Sequence, residues 1–226
     1  MILAAGLGTR MRPLTNHLPK PLLSVGGKPL IVWHLERLQR NGFRDIVINI
    51  AWLGYKIPEM LGNGEQFGVS IHYSDEQDEP ALETAGGVIK ALPLLGDEPF
   101  LVISSDIWCD FEFAPISPLK NDDLSHIVLV DNPKHHPKGD FSLEGSRVYG
   151  SGASQLTYGG IAYFHPALFA KRPYGSSALA PIMREAMQAG RVSGEHHRGV
   201  WQDIGTPERL AAFDRDLKLL NQSFSL

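Results

Sequence analysis

A single cysteine, Cys109, is all that the 226 residues contain. That excludes an internal disulfide framework and a cysteine-based zinc cluster. No apolar run approaches the roughly 18 residues needed to cross a bilayer. No basic segment leads into an apolar one at the start, so no secretory signal is expected and the compartment expected is cytoplasmic. An excess of positive charge is missing too: the net charge is −4, unlike a nucleic-acid binder working through bulk electrostatics. One absence is local. Residues 1–35 hold no Asp or Glu, yet carry Arg10, Arg12, Lys20 and Lys28. A basic, glycine-containing opening on an otherwise acidic chain suggests a site for a small anion.

With 43% hydrophobic and 20% charged residues, the chain can bury a core without disulfides or a structural metal. Short β-branched runs alternate with amphipathic stretches. Ile2–Ala5, Asp45–Ala51, Ser70–Tyr73 and Phe100–Ser104 read as strands. Between them, Leu30–Asn41, Lys56–Leu61 and Gly86–Leu92 read as helices, the last ended by Pro93. This rhythm implies parallel strands joined by crossover helices, a Rossmann-like α/β/α sandwich with a mostly parallel central sheet. Further on, Ser125–Asp131, a hairpin through Gly145, Thr157–Phe164 and Val192–His197 read as strands. Ala178–Ala189 and Thr206–Leu220 read as helices, the second with Thr206 as N-cap and Pro207 at its first position. No linker interrupts the chain, so a single domain over 1–226 is expected, with 1–110 mainly binding nucleotide and 111–226 mainly binding sugar.

Leu3-Ala4-Ala5-Gly6-Leu7-Gly8-Thr9-Arg10 runs from an apolar strand into a turn whose glycines let backbone N–H groups approach an anion. It is not the Rossmann fingerprint, which needs glycine where Met11 stands. Nor is it the Walker loop, for no Gly-Lys-Ser/Thr follows. Arg10-Met11-Arg12-Pro13-Leu14-Thr15, Pro19-Lys20-Pro21-Leu22 and Gly27-Lys28-Pro29-Leu30 come next. Together these segments resemble the nucleotidyltransferases that make nucleoside-diphosphate sugars, whose opening reads L-A-A-G-x-G-T-R-x-x-P-L-T, then P-K-P-L, then K-P before the first long helix.

The resemblance implies attack by a sugar-1-phosphate oxygen on the α-phosphorus of a nucleoside triphosphate, with pyrophosphate leaving. A phosphate monoester has a second pKa of about 6, so the nucleophile is already ionised near neutrality. Positioning two polyanions and stabilising the transition state then dominate. Arg10 suits the triphosphate through its paired donors, and Lys20, between two prolines, supplies a point charge; these two are the expected catalytic residues. Leu3, Ala4, Ala5, Gly6, Gly8 and Thr9 join them around the nucleotide. Glu83, Gly86 and Gly87 resemble the family segment that lies against the base.

Asp106 and Asp203 follow or end apolar segments, and the resemblance gives them the metal. Mg²⁺ needs only one or two carboxylates, with phosphate oxygens and water completing its shell. Where the family has Asn-Gly before the first aspartate, this chain has Ser104-Ser105, a departure that bears on substrate affinity. Ser104, Asp140 and Gly160 are the expected sugar contacts. His135-His136 and His196-His197 read as surface histidines, because neighbours on a strand face opposite ways.

Ile48–Gly54, Leu82-Glu83-Thr84 and Asp106-Ile107-Trp108 narrow the resemblance to bacterial uridylyltransferases acting on N-acetylmuramate 1-phosphate in cell-wall recycling. UTP and a sugar 1-phosphate are then the partners, with neither nucleic acid nor membrane. A lactyl carboxylate on such a sugar calls for a basic or amide group nearby. Mannose-1-phosphate guanylyltransferases share much of the pattern, and glucose-1-phosphate uridylyl- or thymidylyltransferases are further alternatives. A non-catalytic nucleotide-sugar binding protein is the alternative from another class, motivated by Ser104-Ser105 and a short first strand.

Overall fold

Along each buried strand, side chains alternate between two faces, and that alternation builds three layers. The computed structural model describes residues 1–114, 119–120 and 122–223, the last five of these by backbone only. Its strands are β1 (Ile2–Leu3), β2 (Ser24–Val25), β3 (Lys28–Pro29), β4 (Asp45–Ile50), β5 (Ser70–Asp75), β6 (Phe100–Ser104), β7 (Ile107–Cys109), β8 (Ser125–Val130), β9 (Ser142–Glu144), β10 (Arg147–Tyr149), β11 (Thr157–Phe164), β12 (Val192–His197) and β13 (Trp201–Asp203). The α-helices are α1 (Leu30–Arg40), α2 (Lys56–Leu61), α3 (Glu83–Leu95), α4 (Leu179–Gln188) and α5 (Pro207–Ser223).

One nine-stranded sheet has the order β5-β4-β1-β6-β11-β8-β12-β10-β9. Strands β5, β4, β1 and β6 are parallel neighbours, and so are β8 and β12. Only β11 and β10 run against the common direction. The result is the expected mostly parallel α/β architecture with helices on both faces. Ile46, Ile48 and Ile50 of β4 join Ile31, Leu35 and Leu38 of α1 on one face. Val47 turns the other way, toward Ala85, Val88 and Ala91 of α3, in a cluster that includes Ile182 and Met183 of α4. Phe213 and Leu217 seat α5 on Met11, Leu23 and Val25. No helix among the described residues is long and apolar enough to cross a membrane.

Helix α3 corrects its expected limits at both ends. It starts at Glu83 rather than Gly86 because the carbonyl of Ser177 accepts from the N–H groups of Ala85 and Gly86, at 2.9 and 3.2 Å. A chain segment some ninety residues away thus satisfies donors that a helix start leaves open. Pro93 does not end the helix: it lies in the last turn, where its missing N–H removes one bond, and Gly96 N–H closes onto Leu92 O at 3.1 Å.

His34 sits inside α1, 4% exposed, with Nε2 lacking a partner among the described residues. Burial lowers its pKa to about 4, and the nearby Arg37 charge adds to this, outweighing the opposing influence of the Ser105 and Ile107 backbone and of Asp106. The unfolded chain takes up this proton near pH 6.5 while the folded one does not. Stability from His34 is therefore complete above pH 6.5 and is lost as pH falls toward 4, by roughly 3 kcal/mol. Melting curves of His34→Gln should fall less steeply over that interval than those of the unmodified protein; parallel slopes would refute the assignment.

Candidate active site

The parallel strands β1, β4, β5 and β6 end on one edge of the sheet, the usual place for a ligand crevice in such folds. Two cavities open there, of about 830 and 850 Å³. Leu3, Arg10, Glu83, Thr84, Ser104 and Asp106 line both, so the cavities meet along this row.

The first cavity is walled by the loop after β1. Ala4 N–H donates to Asn49 Oδ1 at 2.8 Å, and Asn49 Nδ2 donates to Glu76 Oε1 at 2.8 Å. Asn49 and Glu76 are buried; desolvation raises the Glu76 pKa, and the Asn49 bond works against that rise. This chain of bonds anchors the loop root to β4. Gly8 has φ +62°, and a Cβ there would lie 2.9 Å from Thr15 Cγ2. Thr15 Oγ1 donates to Gly8 O at 2.7 Å, fixing the turn. Between these anchors, the N–H groups of Ala5, Gly6 and Leu7 have no partner among the described residues. Free amides on a turn held from both ends form a cradle for an anion.

Leu3, Ala4, Ala5, Gly6, Gly8, Thr9, Arg10, Lys20 and Glu83 all line this cavity. Gly86 and Gly87 line neither cavity. They lie in α3 where the backbone is crowded: a Cβ on Gly86 would come within 2.3 Å of Gly175 O, and one on Gly87 within 2.9 Å of Asn49 Nδ2 and Glu76 Oε1. Their small size lets α3 approach the Asn49–Glu76 pair. Glu83 has a left-handed backbone, φ +59°, uncommon for a residue with a side chain, at the row shared by both cavities.

Lys20 Nζ lies 2.5 Å from Asp106 Oδ2, with 11% of the lysine side chain exposed. Asp203 comes to the same place through the ribbon β7–β13, where Asp203 is opposite Ile107 and Ile204 N–H donates to Asp106 O at 2.7 Å. Both Asp203 oxygens accept from Arg209 Nη1 at 2.7 Å, and His135 Nε2 lies 3.1 Å from Oδ1. Two aspartates from segments almost a hundred residues apart thus line one cavity, Asp106 paired with Lys20 and Asp203 with Arg209. They are hard oxygen donors with no thiol among them, the chemistry of a site for an oxygen-seeking divalent ion. Among the described residues no group of three His, Cys, Asp or Glu side chains has metal-holding geometry.

Ser104, Asp140 and Gly160 line the second cavity, together with Phe141, Tyr158, Leu179, Met183, Arg184 and Trp201. Asp140 is engaged by the protein itself: Tyr158 N–H donates to Oδ2 at 2.9 Å, and His136 Nε2 lies 3.0 Å from Oδ1. Gly160 stands in a bulge of β11 with φ +73°, and a Cβ there would lie 3.0 Å from Ser104 Oγ. Gly160→Ala should therefore cost about 1–3 kcal/mol in chemical denaturation; an unchanged midpoint would mean the bulge relaxes freely.

Several residues here carry no signal in the sequence. His135 and His136 are solvent-accessible, as expected, but they also line the cavity, and they face different carboxylates. His196 and His197 likewise pair with Asp131 and Asp110, at 2.9 and 2.8 Å. Asn49 and Glu76 could have been suspected as polar residues closing apolar strands. Arg209 could not, since its partner Asp203 is set by the ribbon.

A sequence model of the nucleotidyl transferase family matches residues 1–141. The N-acetylmuramate alpha-1-phosphate uridylyltransferase of Neisseria meningitidis serogroup B is 50% identical over 220 residues, covering 93% of this chain and 94% of that protein. The enzyme of the same name from Caulobacter vibrioides is 35% identical over 228 residues, covering 94% of each. Among solved structures, a putative glucose-1-phosphate thymidylyltransferase from Bacillus anthracis superimposes with a TM-score of 0.83 at 21% identity, covering 96% of this chain and 94% of that one. That last likeness is one of fold.

Proposed function

This chain belongs to the nucleotidyl transferase family and is an enzyme of the sugar-1-phosphate uridylyltransferase kind, and we propose that it transfers UMP from UTP to N-acetylmuramic acid 1-phosphate. The products are UDP-N-acetylmuramic acid and pyrophosphate. The observation that carries the reading is the row of residues shared by two cavities, with Arg10 and Asp106 in it and Lys20 against Asp106. A reaction joining two phosphorylated substrates needs two adjoining pockets with cations at the seam.

In this reading the triphosphate lies on the free amides of Ala5 to Leu7, and Arg10 pairs with its oxygens. The sugar lies in the second cavity, with Ser104, Asp140 and Gly160 around it. Its phosphate oxygen, already ionised, attacks the α-phosphorus in line, and the bond to the β-phosphate breaks. No general base is required. Lys20 balances the negative charge that gathers at the seam. Asp106 and Asp203 would hold a divalent cation, which we take to be Mg²⁺; when bound, it would offset phosphate charge. Arg209 and His135 hold the Asp203 carboxylate in place. The Asn49–Glu76 pair keeps the loop root rigid. The division of the chain into a nucleotide half and a sugar half, a cytoplasmic setting and a role in re-using cell-wall muramic acid all follow from this substrate pair.

A panel decides the reading. UTP, dTTP and GTP are each paired with the 1-phosphates of N-acetylmuramic acid, N-acetylglucosamine, glucose and mannose, and pyrophosphate is measured. UTP with the muramic sugar should give the highest kcat/KM. A higher value for GTP with mannose 1-phosphate would overturn it. Chelation should stop turnover, and added Mg²⁺ should restore it.

A further inference from the structure

We infer that Arg184 selects the sugar by pairing with the carboxylate of its lactyl ether, an inference that rests on the muramic substrate proposed above. Every carboxylate that lines the second cavity, except Glu83 in the shared row, already has a side-chain partner: Asp106 faces Lys20, Asp140 faces His136, and Asp203 faces Arg209 and His135. Two guanidinium groups line the cavity as well. Arg10 belongs to the shared row and so to the nucleotide side. Arg184 lines the second cavity alone and makes no ion pair among the described residues. Its Cζ stands 5.5 Å from the ring centroid of the buried Phe141, a contact that holds the group in place without neutralising it.

A sugar 1-phosphate with neutral hydroxyls brings anionic charge at C1 only, and the seam already answers that charge. An uncompensated guanidinium elsewhere in the sugar cavity calls for a second anion on the sugar. The lactyl ether of muramic acid supplies one, as a planar carboxylate that the arginine fork can bind in two places. The same helix, α4, brings Leu179 and Met183 to the cavity wall, one turn apart. Apolar side chains beside a guanidinium match a group that carries a methyl and a carboxylate on one carbon.

N-acetylglucosamine 1-phosphate is the same sugar without the ether, so the ratio of kcat/KM for the two sugars, each with UTP, reads the pairing directly. Arg184→Gln should lower that ratio by about 10- to 100-fold, mainly through KM for the muramic sugar. Arg184→Lys should recover part of it. Because Arg184 is exposed on α4, both variants should keep the melting temperature of the parent. If the parent favours the muramic sugar and Arg184→Gln keeps the same ratio, the assignment of Arg184 is overturned while the substrate reading stands. If the parent itself shows no preference for the muramic sugar, the substrate reading falls and the role of Arg184 falls with it.

Discussion

Lys20→Ala should lower the rate of pyrophosphate release by about 10²- to 10³-fold, the loss typical of removing one preorganised group that meets charge in a transition state. Several features of the structure set that expectation. Lys20 lies between Pro19 and Pro21 at the start of a short 3₁₀ turn, which restricts how far its root can move. Its side chain is 11% exposed and its ammonium lies 2.5 Å from Asp106 Oδ2, so its charge acts where water screens little. Because the interaction strengthens as charge gathers at the seam, kcat and kcat/KM should fall together. The fold should persist, since the lost partner, Asp106, is about a third exposed and stays solvated. Stopped-flow or coupled pyrophosphate assays with a parallel melting curve make the measurement. Turnover at the parent rate in a folded Lys20→Ala would remove Lys20 from the mechanism.

The second large effect is expected from Asp106→Asn and Asp203→Asn, each of which should cut metal-dependent turnover by about 10³-fold or more. Asparagine keeps the shape of aspartate but removes the charge that a divalent ion needs. The loss should come with weaker metal binding, read by titrating Mn²⁺ against the variant and the parent. Each variant also weakens an ion pair, that of Asp106 being with Lys20. Asp203→Asn also weakens a pairing with Arg209, but both partners are about a quarter exposed. The stability cost should therefore stay within about 1 kcal/mol. Parent-like turnover and metal affinity in either variant would take that aspartate out of the site.

Much of this arrangement is legible along the chain, and the reasons are local. The glycine loop with Arg10 and Lys20 is written in a contiguous stretch because an anion cradle needs consecutive backbone groups and a turn between them. The strands β4, β6 and β8 are written as apolar β-branched runs because both of their faces are buried. Other features escape for an equally physical reason. The start of α3 depends on a carbonyl from Ser177, and the placing of Asp106 and Asp203 along one cavity depends on a ribbon of two three-residue strands. That Gly86 and Gly87 also leave room for packing around Gly175, Asn49 and Glu76 is visible only in the folded chain.

By itself, the order of residues determined the chemistry on offer: an acid-free basic opening, a glycine-containing turn with basic residues beside it, and carboxylates at the ends of apolar segments. Local propensity and burial patterns suffice for that, since each acts over a few neighbouring residues. Only the tertiary structure decided which charges meet. It set Lys20 against Asp106 and Arg209 against Asp203, and it left Arg184 without an ion pair among the described residues that line the second cavity. Electrostatic interaction depends on separation in space, and the packing of helices and ribbons across the sheet sets that separation independently of distance along the chain.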